Sequence, residues 1–331
     1  MIETSLQTLP HGITLSCRTA GARGRPVLMF LHGFPEAAFV WDGLLAHFAK
    51  PENGAFRCIA PNLRGYEKSS APGDASAYRA RHLVQDIAAL IALECGNERS
   101  AGPPQASSAP SGGRELHAVS ERGGQLECLV AHDWGGAVAW NLAAAQPACM
   151  KKLAIINSPH PGTFLRELQQ SPAQQAASAY MNFLIRPDAE ALLAENDFCR
   201  LWEFFIRMGA VDGPHPWLTE AVKAQYRTVW AQGLTGPCNY YRASPLRPPR
   251  PGPPHNDPAA AAVTIPREKL EVHLPTLVIW ATGDTALPPA LLDGLRDYVP
   301  QMLLRRVEGA THWIVHEQPE LVTGCLQQFL H

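Results

Sequence analysis

Short apolar runs, each closed by turn residues or charges, recur along the chain with the length and composition of buried parallel strands. Segments with helical periodicity and few helix breakers lie between the early runs, at 78–94 and 135–146. The apolar runs are Val27–Leu31, 58–60, 128–131, 153–156, 276–280 and the region of 303–307. Because strand and helix signals alternate, we predict a wound α/β fold with a mostly parallel sheet.

The pattern changes between residues 161 and 267, where helical stretches rich in Phe, Trp and Tyr replace the strand signals. We therefore predict a core made of residues 1–160 and 268–331, interrupted by a helical insertion at 161–267. Two segments, 96–125 and 244–260, are dominated by small residues and proline and are expected to be exposed loops. A proline segment that binds a partner is the alternative.

The composition is that of a folded globular protein, with 331 residues, 46% of them hydrophobic, and a formal net charge of −2. This charge gives no basic field to attract nucleic acid. No apolar run reaches the ~20 residues of a membrane-spanning helix, and the N-terminus lacks a secretory signal pattern. The eight cysteines are scattered without a CxxC pair, which predicts reduced thiols and a cytoplasmic location.

The run AHDWGG at 131–136 stands where a predicted strand ends and a predicted helix begins. It has the form of the tight turn that pushes a nucleophile out of a sheet, with small residues around the reactive position. Asp133 occupies that position, which is Ser in esterases. A carboxylate there attacks an electrophilic sp³ carbon to give an alkyl ester, which water must then hydrolyse. Taken alone, an Asp before two glycines is more often a helix N-cap.

The sequence HGFP at 32–35 directly follows the predicted strand Val27–Leu31 and is typical of a loop that binds an oxyanion. The backbone N–H groups of Phe34 and Trp134 can then point at the same oxygen. Pro35 fixes the local backbone and makes a cis Phe34-Pro35 bond possible. For this motif on its own, an ordinary turn at the end of a strand is the alternative.

An Asp nucleophile needs a base for the water that hydrolyses its ester and an acid that orients this base, in the chain order nucleophile, acid, histidine. Asp284 follows the predicted strand at 276–280, and His312 follows the one near 303–307, so both lie where open α/β sheets bind ligands. Alone, each is more often a turn or surface-loop residue. His316 suggests a metal pair with His312, but no acidic HExxH pattern accompanies it, and we expect neither a metal nor another cofactor.

Several motifs together resemble the α/β-hydrolase fold enzymes of the epoxide hydrolase group. They are HGFPE at 32–36, HDWGG at 132–136, NSPHP at 157–161, Gly283-Asp284 and Thr311-His312-Trp313. The resemblance implies an eight-stranded, mostly parallel sheet flanked by helices and covered by a helical cap. It also implies a small apolar epoxide and water as substrates, a vicinal diol as product, and a substrate pocket that includes His32, Pro35, His132 and Trp313.

Residues 61–70, PNLRGYEKSS, resemble the family's D-x-R-G-Y-G-x-S segment with two departures. Asn62 stands in place of the Asp, and Glu67 stands in place of the second Gly. We expect these changes to affect the local loop conformation more than the chemistry.

Opening an epoxide expels an alkoxide, which is a poor leaving group unless acids polarise the ring oxygen. A tyrosine hydroxyl, with a pKa of about 10, stays protonated at neutral pH and is a suitable donor. NYYR at 239–242 resembles the family's N-[WY]-Y-R motif, which implies that Tyr241 is a ring-opening tyrosine. The segment that begins at Tyr180 is similar to the one that carries the other such tyrosine, although an aromatic packed at helical spacing is the alternative.

Two other classes of protein stay open. Dehalogenases share HGFP and could use the same Asp133, Asp284 and His312, with the Trp134 indole as a halide donor, but the paired tyrosines would then have no role. A non-catalytic protein with the same pocket would bind a small molecule without turnover. A plain esterase is disfavoured because its nucleophile would be Ser or Cys.

Overall fold

The computed structural model describes residues 1–96, 124–210, 217–250 and 258–331. The strands are β1 Glu3–Thr8, β2 Thr14–Ala20, β3 Val27–Leu31, β4 Arg57–Pro61, β5 Leu126–His132, β6 Met150–Ile156, β7 Thr276–Ala281 and β8 Met302–Val307. They form one eight-stranded sheet in the order β1-β2-β4-β3-β5-β6-β7-β8. The pairs from β4 to β8 are parallel, whereas β2 is antiparallel to both β1 and β4. The predicted α/β fold with an eight-stranded, mostly parallel sheet is confirmed.

Helices cover both faces of this sheet. In the described ranges they are α1 Asp42–Phe48, α2 Ala80–Cys95, α3 Asp133–Ala145, α4 Pro161–Gln170, α5 Pro172–Ala177, α6 Tyr180–Leu184, α7 Ala189–Arg207, α8 Glu220–Trp230, α9 Thr235–Ala243, α10 Pro258–Ala261, α11 Ile314–Glu317 and α12 Pro319–Leu330. Every residue of β3, β4 and β7 is buried, and all of these residues except Arg57 and Thr276 are apolar, as expected of strands that are covered on both faces. None of the described helices has the length and apolar character to cross a membrane.

The parallel strands bring the polar motifs of the sequence to one edge of the sheet. The HGFPE loop follows β3, Asp133 follows β5, and Asn157 follows β6. Asp284 and His312 come after β7 and β8. Because these strands are parallel neighbours, residues far apart in the chain meet at their carboxyl ends.

The N-terminal strands β1 and β2 were not among the strands that the sequence predicts. The sequence of β1, ETSLQT, is mostly polar, and none of its residues is buried. β1 is an edge strand, held by its backbone ladder to β2, and therefore needs no apolar run.

The region between β6 and β7 contains helices α4 to α10, and its described residues include no strand. It is joined to the loops after β3 and β4 by buried hydrogen bonds. The Tyr226 hydroxyl donates to Glu36 at 2.9 Å, the Trp230 indole to the Pro35 carbonyl at 2.7 Å, and the Tyr240 hydroxyl to the Arg64 carbonyl at 2.9 Å. The division into a core and a cap at residues 161 and 267 stays a prediction.

Helix α7 is broken in its middle. Asn196, Asp197 and Phe198 have φ values of 49°, 54° and 60°, which lie in the left-handed region. Asn and Asp tolerate this region, whereas it strains a Phe. Arg227 of α8 holds the break by donating to both carboxylate oxygens of Asp197, at 2.9 and 3.0 Å.

Parts of the two predicted low-complexity loops, 97–123 of the first and 251–257 of the second, lie outside the described residues. The described residues 244–250 contain neither helix nor strand. At the far end of this segment the expectation of a loop is wrong, because a helical turn begins at Pro258 and ends at Ala261. Proline is compatible with the first turn of a helix, where its missing N–H costs nothing.

The two departures in the segment 61–70 are in direct contact. Glu67 has a φ of 49°, so it adopts the left-handed conformation that favours the glycine it replaces. Its carboxylate accepts hydrogen bonds from the Asn62 amide at 2.5 Å and from the Ser16 hydroxyl at 2.6 Å. The Asn62 oxygen accepts from the Ala38 N–H at 2.8 Å. The carboxylate that is absent at position 62 is thus supplied by position 67.

Candidate active site

Asp133 lies at the junction of β5 and α3 in a strained conformation, with a φ of 48°. Its carboxylate sits against Gly33, where an added Cβ would lie 2.1 Å from Asp133 Oδ1. A Cβ on Gly135 would lie 2.5 Å from the Leu31 carbonyl oxygen. These two glycines therefore let the turn approach β3 and leave space for the carboxylate.

The loop after β3 supplies a backbone donor to Asp133. The Phe34 N–H donates to Asp133 Oδ1 at 2.6 Å, and the Phe34-Pro35 peptide bond is cis. Trp134, the other predicted donor, occupies the first turn of α3, where backbone N–H groups have no partner within the helix. No hydrogen bond between the Trp134 N–H and Asp133 is present among the described contacts.

His312 lies between the two carboxylates. Its Nδ1 is 2.6 Å from Asp284 Oδ2, and its Nε2 is 3.7 Å from Asp133 Oδ2. His312 and Asp284 are only 2% and 4% exposed, so their interaction is shielded from water. With Nδ1 occupied by Asp284, Nε2 faces the Asp133 carboxylate and is the nitrogen that can exchange a proton there.

Asp284 is held in place by three further donors. The backbone N–H groups of Ala286 and Leu287 donate to Oδ1 at 2.9 and 3.0 Å, and the Asn157 amide donates to Oδ2 at 2.8 Å. Burial raises the pKa of Asp284, but His312 and these donors outweigh it and lower the pKa overall. Asp284 is therefore an anion at neutral pH that fixes the orientation of the imidazole.

The imidazole of His312 has an unusually high affinity for a proton. Burial lowers its pKa, but Asp284, then Asp133 and then Glu36 raise it, to about 9 overall. In the free protein at neutral pH, His312 is therefore mostly an imidazolium.

Tyr180 of α6 and Tyr241 of α9 lie close to each other and near Asp133. Their ring centroids are 6.1 Å apart, and Tyr241 packs edge-on against Phe34 at 5.2 Å and Trp134 at 5.1 Å. Burial is the largest cause that raises the pKa of both hydroxyls, and the negative charge of Asp133 adds to it. Both hydroxyls are therefore protonated at neutral pH and can act as donors.

Two cavities adjoin these residues. The smaller has a volume of about 170 Å³ and is lined by Asp133, Trp134, Tyr180 and Tyr241 together with mainly apolar side chains. The larger, of about 550 Å³, is lined by Phe34, Tyr180 and helices α5 to α7, and not by Asp133. The smaller cavity is therefore the candidate site of the reaction. Ser244, Pro245 and Leu246 of the predicted loop 244–260 also line it.

None of the four residues predicted to surround the substrate lines either cavity. His32 accepts from the Leu63 N–H at 3.0 Å, and the Pro35 carbonyl accepts from Trp230. His132 Nε2 bonds to the His312 carbonyl at 3.0 Å, and the Trp313 indole donates to the Phe205 carbonyl at 3.1 Å. These polar atoms bind neighbouring loops and helices, and none of the four residues lines a cavity.

Sequence reasoning assigned no role to Asn157 or Glu36, which the structure places next to the triad. Glu36 is 1% exposed, and its carboxylate lies 3.2 Å from His132 Nδ1 and 2.6 Å from His316 Nε2. The only signal for either residue was its position in HGFPE or NSPHP. His316 thus pairs with Glu36, and in the described ranges no group of three or more His, Cys, Asp or Glu side chains could hold a metal ion.

Comparison with known proteins gives concordant matches. A model of the alpha/beta hydrolase family matches residues 28–323. The "AB hydrolase superfamily protein YfhM" of Bacillus subtilis is 31% identical, over 97% of this chain and 95% of its own length. Mouse "Epoxide hydrolase 4" is 28% identical, over 96% of this chain and 77% of its own length.

Solved structures with a similar fold include enzymes whose activity is named. One described among novel epoxide hydrolases from metagenomes of hot environments has a TM-score of 0.79 and 33% identity, covering 100% of this chain and 99% of its own. An epoxide hydrolase of Bacillus megaterium, solved with an inhibitor, has a TM-score of 0.78 and 26% identity, covering 98% of this chain and 99% of its own.

Proposed function

The chain belongs to the alpha/beta hydrolase family, and from this premise we propose that it is an epoxide hydrolase that works through a covalent ester of Asp133. The observation that carries the proposal is an aspartate at the nucleophile turn that lines one small cavity together with two protonated tyrosines. Similarity to epoxide hydrolases over nearly the whole chain supports the same reaction class. The hydrolysed bond is the C–O bond of the epoxide ring.

In the first step, an Asp133 oxygen attacks a ring carbon and the ring C–O bond breaks. The electron pair of that bond goes to the ring oxygen, which takes a proton from Tyr241 or Tyr180. The requirement for such an acid favours these tyrosines, because an alkoxide leaves poorly without one. The product of this step is a hydroxyalkyl ester on Asp133.

In the second step, His312 takes a proton from water, and the resulting hydroxide attacks the ester carbonyl. The carbonyl oxygen becomes an oxyanion, for which the Phe34 N–H, already 2.6 Å from Asp133 Oδ1, is the nearest donor. Collapse of this intermediate breaks the ester C–O bond, and the expelled diol oxygen takes the proton of the added hydroxide, so that the diol leaves and the carboxylate is restored. The proton that His312 took from water then replaces the one that the tyrosine gave up in the first step. The oxygen that the substrate gains in the first step therefore comes from the Asp133 carboxylate, not from the attacking water.

The first step prepares the base for the second. Esterification removes the negative charge of Asp133, which is one of the groups that raise the pKa of His312 to about 9. The pKa of His312 must then fall, so that more of it is neutral at physiological pH. Alkylation itself converts the imidazolium into a competent base.

Asp133→Asn, which removes the same charge, is expected to lower the pKa of His312 below the value of about 9 in the unaltered protein. Titration of the histidine ring signals by NMR measures this shift directly. His160, whose pKa burial lowers to about 4, is an internal control that should not move. An unchanged His312 titration would show that Asp133 does not govern the charge of the base.

The proposal is tested by a single turnover in heavy-oxygen water with excess enzyme. The first diol should carry no label, because its new oxygen comes from the Asp133 carboxylate, and later turnovers should acquire the label. Labelled diol in the first turnover would mean direct attack by water. Haloalkanes serve as the comparison substrates. Halide release without diol formation would assign the protein to the dehalogenases. Binding without either product would favour a non-catalytic role.

We also infer a helical cap formed by residues 161–267 and a cytoplasmic location. The cap is supported by helices α6 and α9 of this region, whose Tyr180 and Tyr241 line the same cavity as Asp133. The location is supported by the absence of a disulfide bond between any two of the described cysteines, which suits a reducing compartment.

A further inference from the structure

Helix α5 contains a buried amide that has no role in the chemistry described above. Gln174 is 2% exposed, and its Nε2 donates to the Ala286 carbonyl at 3.0 Å and to the Ser178 hydroxyl at 2.9 Å. We propose that Gln174 is a positioning residue for hydrolysis of the ester, because it ties the helical region to the peptide group that holds Asp284. This inference rests on the proposed epoxide hydrolase function and adds a residue to its second step.

One peptide group carries the link. The carbonyl of Ala286 and the N–H of Leu287 belong to the same planar peptide bond. Gln174 donates to the oxygen of this group at 3.0 Å, and the N–H of the group donates to Asp284 Oδ1, also at 3.0 Å. Hydrogen bonds in such a chain polarise one another, so the donor at one end strengthens the bond at the other. The Gln174 amide therefore acts on the Asp284 carboxylate through one intervening peptide group.

The loop after β7 offers this peptide group little other support. The loop is neither helix nor strand at Ala286, and no other described hydrogen bond reaches the Ala286 carbonyl. Ala286 is 4% exposed, so loss of the Gln174 donor would leave a buried carbonyl unpaired and destabilise this loop conformation.

The two oxygens of the Asp284 carboxylate have separate partners. Oδ1 accepts from the backbone N–H groups of the loop, whereas Oδ2 lies 2.6 Å from His312 Nδ1 and accepts from the Asn157 amide. A shift of the loop at Oδ1 would turn the carboxylate and with it Oδ2. The imidazole that has to activate water would then lose its orientation.

The other end of the Gln174 amide argues against a role in stability alone. Gln174 Oε1 is buried and has no hydrogen-bond partner within the described ranges. A buried acceptor without a partner costs folding free energy, which an unbranched apolar side chain such as Met would avoid. The amide cannot be reversed either, because Oε1 would then meet the Ala286 carbonyl, which is also an acceptor. The value of the amide therefore lies in what its Nε2 binds.

Gln174→Met tests the link, because methionine is as long as glutamine and has no donor. In a single turnover with excess enzyme, rapid quenching gives the rate constants for formation and for hydrolysis of the ester on Asp133. We expect hydrolysis to slow by about three- to tenfold, the size of one buried hydrogen bond, and formation to change by less than about twofold. Equal slowing of both steps, or of neither, would overturn the inference.

Gln175→Met is the matched control. This neighbour in α5 also donates its side-chain amide to a backbone carbonyl, but that carbonyl belongs to Leu168 of α4, at 2.9 Å, and not to the loop after β7. It should leave both rate constants unchanged. Ser178→Ala removes the other hydrogen bond of Gln174 Nε2 and should leave hydrolysis unchanged as well. Slower hydrolysis in either control would assign the effect to the packing of α5 and reject the proposed link.

A double-variant cycle shows whether the effect passes through Asp284. In Asp284→Ala the Leu287 N–H has no carboxylate to bind, so adding Gln174→Met should change hydrolysis by less than about twofold. If the two losses multiply instead, Gln174 acts by another route and the inference is wrong.

The Leu287 amide proton gives a spectroscopic readout of the same peptide group. Its NMR signal should move upfield in Gln174→Met, because its hydrogen bond to Asp284 weakens, and should stay in place in Gln175→Met. An unmoved signal in Gln174→Met would contradict the polarised peptide.

The unaltered enzyme separates failure of this inference from failure of the proposed function. If it forms neither an ester on Asp133 nor a diol from an epoxide, the proposed function is wrong. If it forms both and Gln174→Met hydrolyses the ester at the unaltered rate, only the role of Gln174 is wrong. Thermal unfolding shows whether each variant is folded, and Gln174→Leu, which also lacks the donor, replaces Gln174→Met if that variant is not.

Discussion

His312→Gln is expected to stop the enzyme after one chemical event, with the substrate attached to Asp133. Ring opening does not need the imidazole as a base, whereas hydrolysis of the ester does, and loss of a general base costs about 10²- to 10⁴-fold in rate. Rapid quenching followed by mass spectrometry should find one added substrate mass on the peptide that contains Asp133. Steady-state diol formation should fall by at least the same factor.

Two further variants check this assignment. Asp133→Asn should give no adduct, because an amide is not a competent nucleophile. Asp284→Asn should slow hydrolysis of the ester more than its formation, since Asp284 contacts the base, at 2.6 Å from His312 Nδ1, and no described contact joins it to Asp133. An adduct on any other residue of His312→Gln, or no adduct after exposure to an epoxide, would contradict the roles given to Asp133 and His312.

Loss of the two tyrosine hydroxyls is expected to affect the other half of the reaction. Tyr241→Phe should lower the rate of ester formation by about 10²-fold or more, because the leaving oxygen loses a general acid. The combined change with Tyr180→Phe should nearly abolish ester formation. The burial and the neighbouring negative charge that keep both hydroxyls protonated also mean that this acid function should persist well above neutral pH.

The measurement is the rate of ester formation in the His312→Gln background, where the adduct accumulates. Tyr298→Phe is a suitable control, because Tyr298 stacks on His160 at 4.9 Å and lines neither cavity. If the tyrosine variants formed the ester at the unaltered rate, the acid would have to be sought elsewhere. Unimpaired ester formation in the double variant would be the most damaging result for the epoxide assignment.

The sequence predicted most of the sheet, and the places of Asp133, Asp284 and His312 at its edge, because both depend on local patterns. Asp133, Asp284 and His312 each follow an apolar run, and parallel strands bring the ends of such runs together without further information. The strand β1 carries no comparable pattern, since an exposed edge strand is held by backbone hydrogen bonds rather than by apolar side chains. Its presence could not be read from residue types.

The direction of side chains was harder to predict than their place in the chain. His32, His132 and Trp313 are next to the expected site in sequence, but each binds a backbone carbonyl or N–H of another loop or helix. Such contacts join residues 31, 180 and 108 positions apart and are decided by packing in three dimensions. The position of Asn157 on Asp284, 127 positions away, is of the same kind.

The contact between Asn62 and Glu67 has a consequence for anyone who redesigns this enzyme by averaging its relatives. Restoring Asp at position 62 alone would set a second carboxylate against Glu67, where an amide now donates at 2.5 Å. Restoring Gly at position 67 alone would leave both that amide and the Ser16 hydroxyl without their acceptor. A consensus library should therefore treat positions 62 and 67 as one variable and exchange them only as a pair.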